Sequence, residues 1–518
     1  MSKRRKKGGG RAARHALRAA TNKNKPKPIR AGLRGGQYKP LTDEQVTRIH
    51  NTALDVLEEI GMGTPIPELI EPAVARGAFM KDGRLCFPKA LMEEIIAGAS
   101  REFTLYARNP KNDLYLGKEH VHYGTGGAAI SVLDFHSGEY RDSSLLDIYD
   151  FARLSDQLDN VHWFTRSVIA TELQDPHELD INTAYVLMAG TQKHVGTAIT
   201  IPEMVEPVVE LFDIVGGGKG SFAARPFCKL HTSPIVPPLR YGADASYTIL
   251  EAIKHNWPIN AITAGQSGAT SPAALAGTLV QTHAETLAAL AMVNIWSPGH
   301  PFIFSNWPFV ADLRTGAMTG GSAEGGLLNS ASAQLCNAIN LPSGVAGGMP
   351  DSKLPDMQAG YESGIPNAMI GLAGANLIYE SSGMLASLLG CSFEAFVINN
   401  EIAGNCLRAI RGIEVTDKSL SFDVIKEAVF GAGHFLGADQ TIEIMETEYL
   451  YPPIGNRMTP MEWKEVGSPD IWKVARERVS QMMRNYPAYI TPEQDAAIRA
   501  KFDLKISAEE MSLTSRRW

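Results

Sequence analysis

The run VHYGTGG (residues 121–127) is short, rich in β-forming residues, and ends in glycines; a helix-compatible stretch follows it. The same pattern returns in VHWFTRSVIA (161–170), KHVGTAIT (193–200), PFCKLHTSP (226–234), NAITAGQSG (260–268), PFIFSNWPF (301–309), SGVAGGMPDSK (343–353) and NLIYESSG (376–383). Successive starts are separated by 40, 32, 33, 34, 41, 42 and 33 residues, each the size of one βα unit. Strands alternating with helices imply a parallel sheet. Eight similar units favour an α/β fold of the (β/α)8 TIM-barrel type over an open doubly wound sheet.

The segments between these runs read as helices. SPAALAGTLVQTHAETLAALAMVNIW (271–296) opens with Ser271 as N-cap and Pro272 at the first helical position. Upstream, LTDEQVTRIHNTALDVLEEIGM carries a capping box, Thr42 with Gln45, and an apolar face of Val46, Ile49, Ala53, Leu54, Leu57 and Ile60. Turn signals at Asn109-Pro110 and at Ser137-Gly138 predict two hairpins, taken with the helix as an N-terminal cap. The expected divisions are a basic disordered tail (1–36), a cap (37–120), the barrel (121–383) and closing helices with a C-terminal extension (384–518).

Of the 49 Lys and Arg, 13 lie in residues 1–36, which hold no Asp or Glu; the remainder has a net charge of −20. So acidic a body is not expected to bind nucleic acid. No apolar run is long enough to span a membrane. The first twenty residues lack a secretory h-region. The five scattered cysteines suit a reducing cytoplasm, the expected location.

In a barrel of this type the C-terminal strand ends form the active face. Those ends supply Tyr123, Thr165, Arg166, His231, Thr232, Gln266, Ser267, Asn306, Trp307, Met349, Asp351, Tyr379 and Glu380. They contain no His/Cys spacing for zinc, and no lysine in an apolar strand reads as a Schiff-base former. IVGGGKGS (214–221) lacks the P-loop order and reads as a turn. The polar density after Gly347 and Gly348 suggests a site at the end of the seventh strand, with Asp351 and Lys353 at its mouth; alternatively these two residues pair or cap the next helix.

AGGMPDSKLPDMQAGYES (346–363), GLAGANLIYESSGML (371–385) and GAGHFLGADQTIEIMETEYLYP (431–452) resemble the trimethylamine methyltransferase family of corrinoid-dependent methyltransferases. The resemblance spans roughly residues 40 to 480. It implies a (β/α)8 barrel and transfer of a methyl group from a methylated amine to Co(I). The corrinoid would be carried by a separate protein, with no cofactor bound directly. Trimethylamine-using members carry pyrrolysine, which this chain lacks. The resemblance is therefore to the pyrrolysine-free branch, which acts on quaternary amines such as glycine betaine. The expected partners are a corrinoid protein, the amine, and further copies of the chain.

A quaternary ammonium is recognised by aromatic faces, here Tyr123, Trp163, Phe164, Trp307, Phe309 or Tyr361. A betaine carboxylate needs donors, for which Arg166, His231, Gln266, Lys353 and His434 are candidates. Asn306, Gly348 and Met349 complete the expected substrate wall. Asp351, Glu380 and Lys353 are the candidate catalytic groups, and Glu324 is a further carboxylate that could face the cation. Two rival readings are a barrel lyase or hydrolase using Asp351 and Glu380 as an acid–base pair, and a betaine-binding protein without turnover.

Overall fold

The computed structural model describes residues 26–518. Eight short strands recur along the chain: β1 (His120–Tyr123), β2 (Trp163–Thr165), β3 (His194–Thr197), β4 (Cys228–Thr232), β5 (Ile259–Thr263), β6 (Phe302–Asn306), β7 (Ser343–Ala346) and β8 (Leu377–Tyr379). Each predicted run overlaps one of them, β1 and β5 beginning one residue before their runs. After each comes a long helix: α1 (Leu145–Asp156), α2 (Pro176–Gly190), α3 (Val205–Gly216), α4 (Ala243–Ile253), α5 (Leu275–Trp296), α6 (Ala323–Ala338), α7 (Met357–Ala373) and α8 (Phe393–Arg411).

The eight strands are parallel neighbours in one nine-stranded sheet, in the order β1-β8-β7-β6-β5-β4-β3-β2. The order never reverses, so the topological switch point of a doubly wound sheet is missing. The sheet curls until its outermost parallel strands approach each other: Gly124 bridges Trp163 in parallel, and His162 N donates to Tyr123 O at 2.8 Å.

Alternation along each strand divides the side chains between two faces. Phe164, Val195, Leu230, Ile259, Ala261 and Phe304 join the main core with the helices. Trp163, Ile262, Ile303, Ala346, Leu377 and Tyr379 form a separate cluster on the inner face. Leu105, Leu114 and Leu116 fill part of it from the hairpin of Phe103–Leu105 and Leu114–Leu116.

The cap helix Asp43–Asp55 forms with its predicted capping box, Thr42 Oγ1 accepting from Gln45 N and Gln45 Oε1 from Thr42 N. Its Val46 and Ile49 pack on Leu279 of α5 and Leu328 and Leu335 of α6. α5 starts at Leu275, with Ala274 as N-cap; the expected start at Ser271-Pro272 is instead a turn that closes on Gln266.

Two expected boundaries shift. Residues 1–25 of the expected tail lie outside the described residues, but 26–36 are built into the fold. Leu33–Arg34 pairs antiparallel with Val121 and His120, and Leu33 is buried. Gly35 lies so close to α7 that a Cβ there would be 2.3 Å from Gly371 O, which only glycine permits. The second predicted hairpin, Ser131–Leu133 with Tyr140–Asp142, is not part of an N-terminal cap. It joins Met384–Leu385 and Gly390–Cys391 in a four-stranded sheet built from the segments after β1 and β8. Beyond α8, residues 412–467 lie largely on the surface, and the helices Ile471–Met482 and Pro492–Lys501 return Val479, Met482 and Ile498 to the core.

Candidate active site

Tyr379 is the hub of an aromatic cluster on the inner face. Its ring lies 5.0 Å from Trp307, 5.3 Å from Trp163 and 5.5 Å from His231, centroid to centroid, and His231 lies 5.8 Å from Trp307. Glycines on neighbouring strands make room for these rings. A Cβ at Gly124 would stand 2.2 Å from Trp163, and one at Gly344 would meet Ser305 Oγ at 2.3 Å and the Tyr379 ring at 3.0 Å. Lys229 of β4 reaches the same space, its Nζ 5.3 Å from the Trp163 ring centre and 5.4 Å from that of Tyr379.

Buried polar atoms normally have hydrogen-bond partners. Here several have none among the described residues: Lys229 Nζ, Thr165 Oγ1, His194 Nε2, Tyr379 OH, Trp307 Nε1, both side-chain polar atoms of Asn306 and both carboxylate oxygens of Glu380. Such a gathering on one face of the sheet and its strand ends suits a polar ligand. Glu380 follows β8 with φ at 57°, a left-handed turn. Its carboxylate is accommodated by Gly126 and Gly127, where added Cβ atoms would lie 2.7 and 3.0 Å from its oxygens.

Electrostatics separates these groups. Burial alone pushes the Glu380 carboxyl up to about 8, so it is mostly protonated at neutral pH. Burial also pulls the Lys229 ammonium down to about 7. His231 is held well below its usual range by burial, then by the charges of Lys229 and Arg166. Its tautomer follows from its neighbours. Ser305 Oγ donates to Asn260 Oδ1 at 2.5 Å, so Asn260 Nδ2 donates to His231 Nδ1 at 3.0 Å and the neutral ring carries its proton on Nε2.

The structure gathers Trp307, His231 and Met349 of the expected residues at this cluster, with Tyr379. Glu380 and Asn306 follow β8 and end β6 as buried, unpartnered groups. Arg166, just past β2, is half-buried, and its charge reaches His231. Gln266 lies in a two-residue strand paired with Phe309–Val310, where its carbonyl closes the turn to Ser271.

Other expected residues lie elsewhere. Tyr123 faces outward, because alternation puts it among Val121, Ile370 and Ile410, and its hydroxyl donates to Asn367 O. Phe164 is likewise in the outer core. Tyr361 is 53% exposed on α7, and His434 is an exposed residue beyond α8.

Asp351 is occupied by loop bonds: it accepts from Thr319 Oγ1 (2.5 Å), Gly320 N (2.8 Å) and Ser387 Oγ (2.5 Å). The exposed Lys353 Nζ turns back onto Asp351 O at 2.8 Å. With Glu324, these two line a surface cleft of about 920 Å³. Gly348 abuts helix backbone rather than a cavity: a Cβ there would lie 2.6 Å from Ser363 Cα and from Ser363 O. The polar run after it braces the loop. Glu362 accepts from Asp351 N and Ser352 N, and Asp356 caps α7 through Ala359 N.

Lys229 is the residue that sequence reasoning missed. It stands in FCKLH, a lone lysine between apolar neighbours inside a strand, which corrects the expectation that no apolar strand carries one. Among the described residues no three His, Cys, Asp or Glu side chains are placed to hold a metal ion.

The chain is 33% identical over 469 residues to a trimethylamine methyltransferase MttB of Desulfitobacterium hafniense, covering 90% of this chain and 94% of that one. It is 30% identical over 472 residues to a glycine betaine methyltransferase from another strain of D. hafniense, covering 90% and 96%. In fold it is similar to the monomethylamine methyltransferase MtmB of Methanosarcina barkeri, with a TM-score of 0.50 and 14% identity over 86% of this chain and 89% of that one. The sequence profile of the trimethylamine methyltransferase (MTTB) family matches residues 7–510, and the chain belongs to that family.

Proposed function

We propose that the chain moves a methyl group from a small quaternary amine to a Co(I) corrinoid carried by a separate protein. It is a methyltransferase, as are its relatives above. The observation that carries the substrate reading is the cluster of Trp307, Tyr379, Trp163 and His231 beside buried, unpartnered polar groups. We further read the curled sheet as a closed (β/α)8 barrel, supported by its sequential strand order and the Gly124–Trp163 bridge.

The corrinoid would supply a strong nucleophile. The protein's task is then to strip water from the ammonium and orient one methyl group. The C–N bond breaks with its electron pair remaining on nitrogen, so a neutral tertiary amine leaves and needs no general acid. Ring faces suit this task, each desolvated contact contributing about 0.5–2 kcal/mol. Glu380, mostly protonated at neutral pH, does not clamp the cation as a full carboxylate would. That matters because positive charge disperses during transfer, and a tight clamp would favour the ground state.

The acid–base pair reading loses its geometry: Asp351 is tied into loop bonds, and burial alone accounts for the raised Glu380. Further copies of the chain are proposed partners, a reading supported by exposed Phe422 and Phe430 on the surface segment beyond α8.

The test is methylcobalamin formation, followed by absorbance, with reduced corrinoid protein or free Co(I) cobalamin and a panel of glycine betaine, carnitine, choline and trimethylamine. Methylation from at least one quaternary amine is expected. Its absence with all of them, under conditions where trimethylamine or a control methyltransferase reacts, overturns the reading.

A further inference from the structure

We propose that Lys229 is the anchor for a carboxylate, so that the inner-face cluster favours zwitterionic betaines over simple quaternary ammonium ions. This rests on the quaternary-amine reading above and names the substrate class within it.

A second buried lysine shows what a structural lysine looks like in this fold. Lys193 Nζ donates to three carbonyls, Ser155 O (2.6 Å), Leu158 O (2.8 Å) and Val161 O (2.6 Å). Lys229 is as deeply buried, yet its Nζ has no partner among the described residues. It points between the Trp163 and Tyr379 rings into the inner-face cluster. Gly196 makes room for the Lys229 side chain, since a Cβ there would lie 3.1 Å from Nζ and 2.4 Å from Thr165 Oγ1.

Arg166 has a counter-charge in Asp180, but no carboxylate acts on Lys229. Lys229 acts on His194 and His231, and Arg166 acts on His231 from the end of β2. Glu380 forms no ion pair with any of them, and its own oxygens are unpartnered. An unpaired buried ammonium is costly, and a carboxylate brought by the ligand relieves that cost. A ligand that is only a cation would leave it unrelieved and add repulsion. A betaine carries both charges on one small frame: its carboxylate meets Lys229 Nζ while its ammonium lies against Trp307 and Tyr379.

Titration calorimetry of the full chain with glycine betaine, carnitine, choline and tetramethylammonium tests this. The unmodified protein should bind a carboxylate-bearing amine more tightly than choline. Lys229→Met should weaken that betaine about tenfold or more, the size of one lost charge-assisted hydrogen bond, and leave choline bound as well as before or more tightly, because the repulsion has gone. Its melting temperature should hold or rise, because a buried unpartnered amine has gone, and Lys229→Gln should recover part of the affinity. Equal loss for betaine and choline, or no loss for either, overturns the assignment. Choline binding as well as betaine in the unmodified protein overturns this inference but leaves the quaternary-amine reading standing. Failure of all four ligands to bind overturns both.

Discussion

Trp307 and Glu380 test the site in two different ways. Trp307→Ala should weaken quaternary ammonium binding by about 1–2 kcal/mol, one desolvated cation–π contact, and Trp307→Phe should recover part of it. Calorimetry reads both, and unchanged affinity in the alanine variant would remove Trp307 from the site. Glu380 is read through pH. Its folded-state value of about 8 lies above the ordinary 4.5 because burial disfavours the charge. The unfolded chain therefore ionises first, and this residue costs stability progressively as pH rises from 4.5 towards 8. Lys229, shifted the other way, contributes equally to wild type and a Glu380→Gln variant and cancels between them. The variant should thus gain melting temperature over wild type at pH 8 relative to pH 5; a gap that stays constant with pH would count against a buried, ionising Glu380.

At the scale of elements, the polar run after β7 is a brace. Asp356 accepts from Ala359 N at 3.0 Å and from Ser352 Oγ at 2.9 Å. Asp356→Ala should cost about 1 kcal/mol in denaturant unfolding, as a lost N-cap does. Gly348→Val should abolish the native fold, not merely slow turnover, because the side chain would enter α7 backbone at Ser363. Circular dichroism decides this: a folded, inactive Gly348→Val protein would restore the glycine to the cavity wall. The motif was legible as conspicuous, but its polar groups face one another across a loop, and sequence spacing does not distinguish that from facing a ligand.

At the scale of the whole molecule, the short antiparallel strand Leu33–Arg34 joins the N-terminal segment to β1. Deleting residues 1–36 should therefore lower the melting temperature relative to deleting residues 1–25, because Leu33 leaves a buried place. Equal melting temperatures would show that this strand adds nothing.

The sequence by itself determined the eight strand positions, the helices between them and the capping box at Thr42. These are local matters of period, turn residues and hydrogen bonding within a few residues. It also carried the family resemblance through residues 346–385 and 431–452. Only the tertiary structure decided which strand-end residues meet. One step along a strand reverses a side chain, so Tyr123 went to the helices while Trp163 and Tyr379 went inside. Lys229 passed unremarked in the sequence, and Glu380 stood out there only as a carboxylate at a strand end. Their chemistry comes from burial without partners, and burial is set by what the other strands bring beside them.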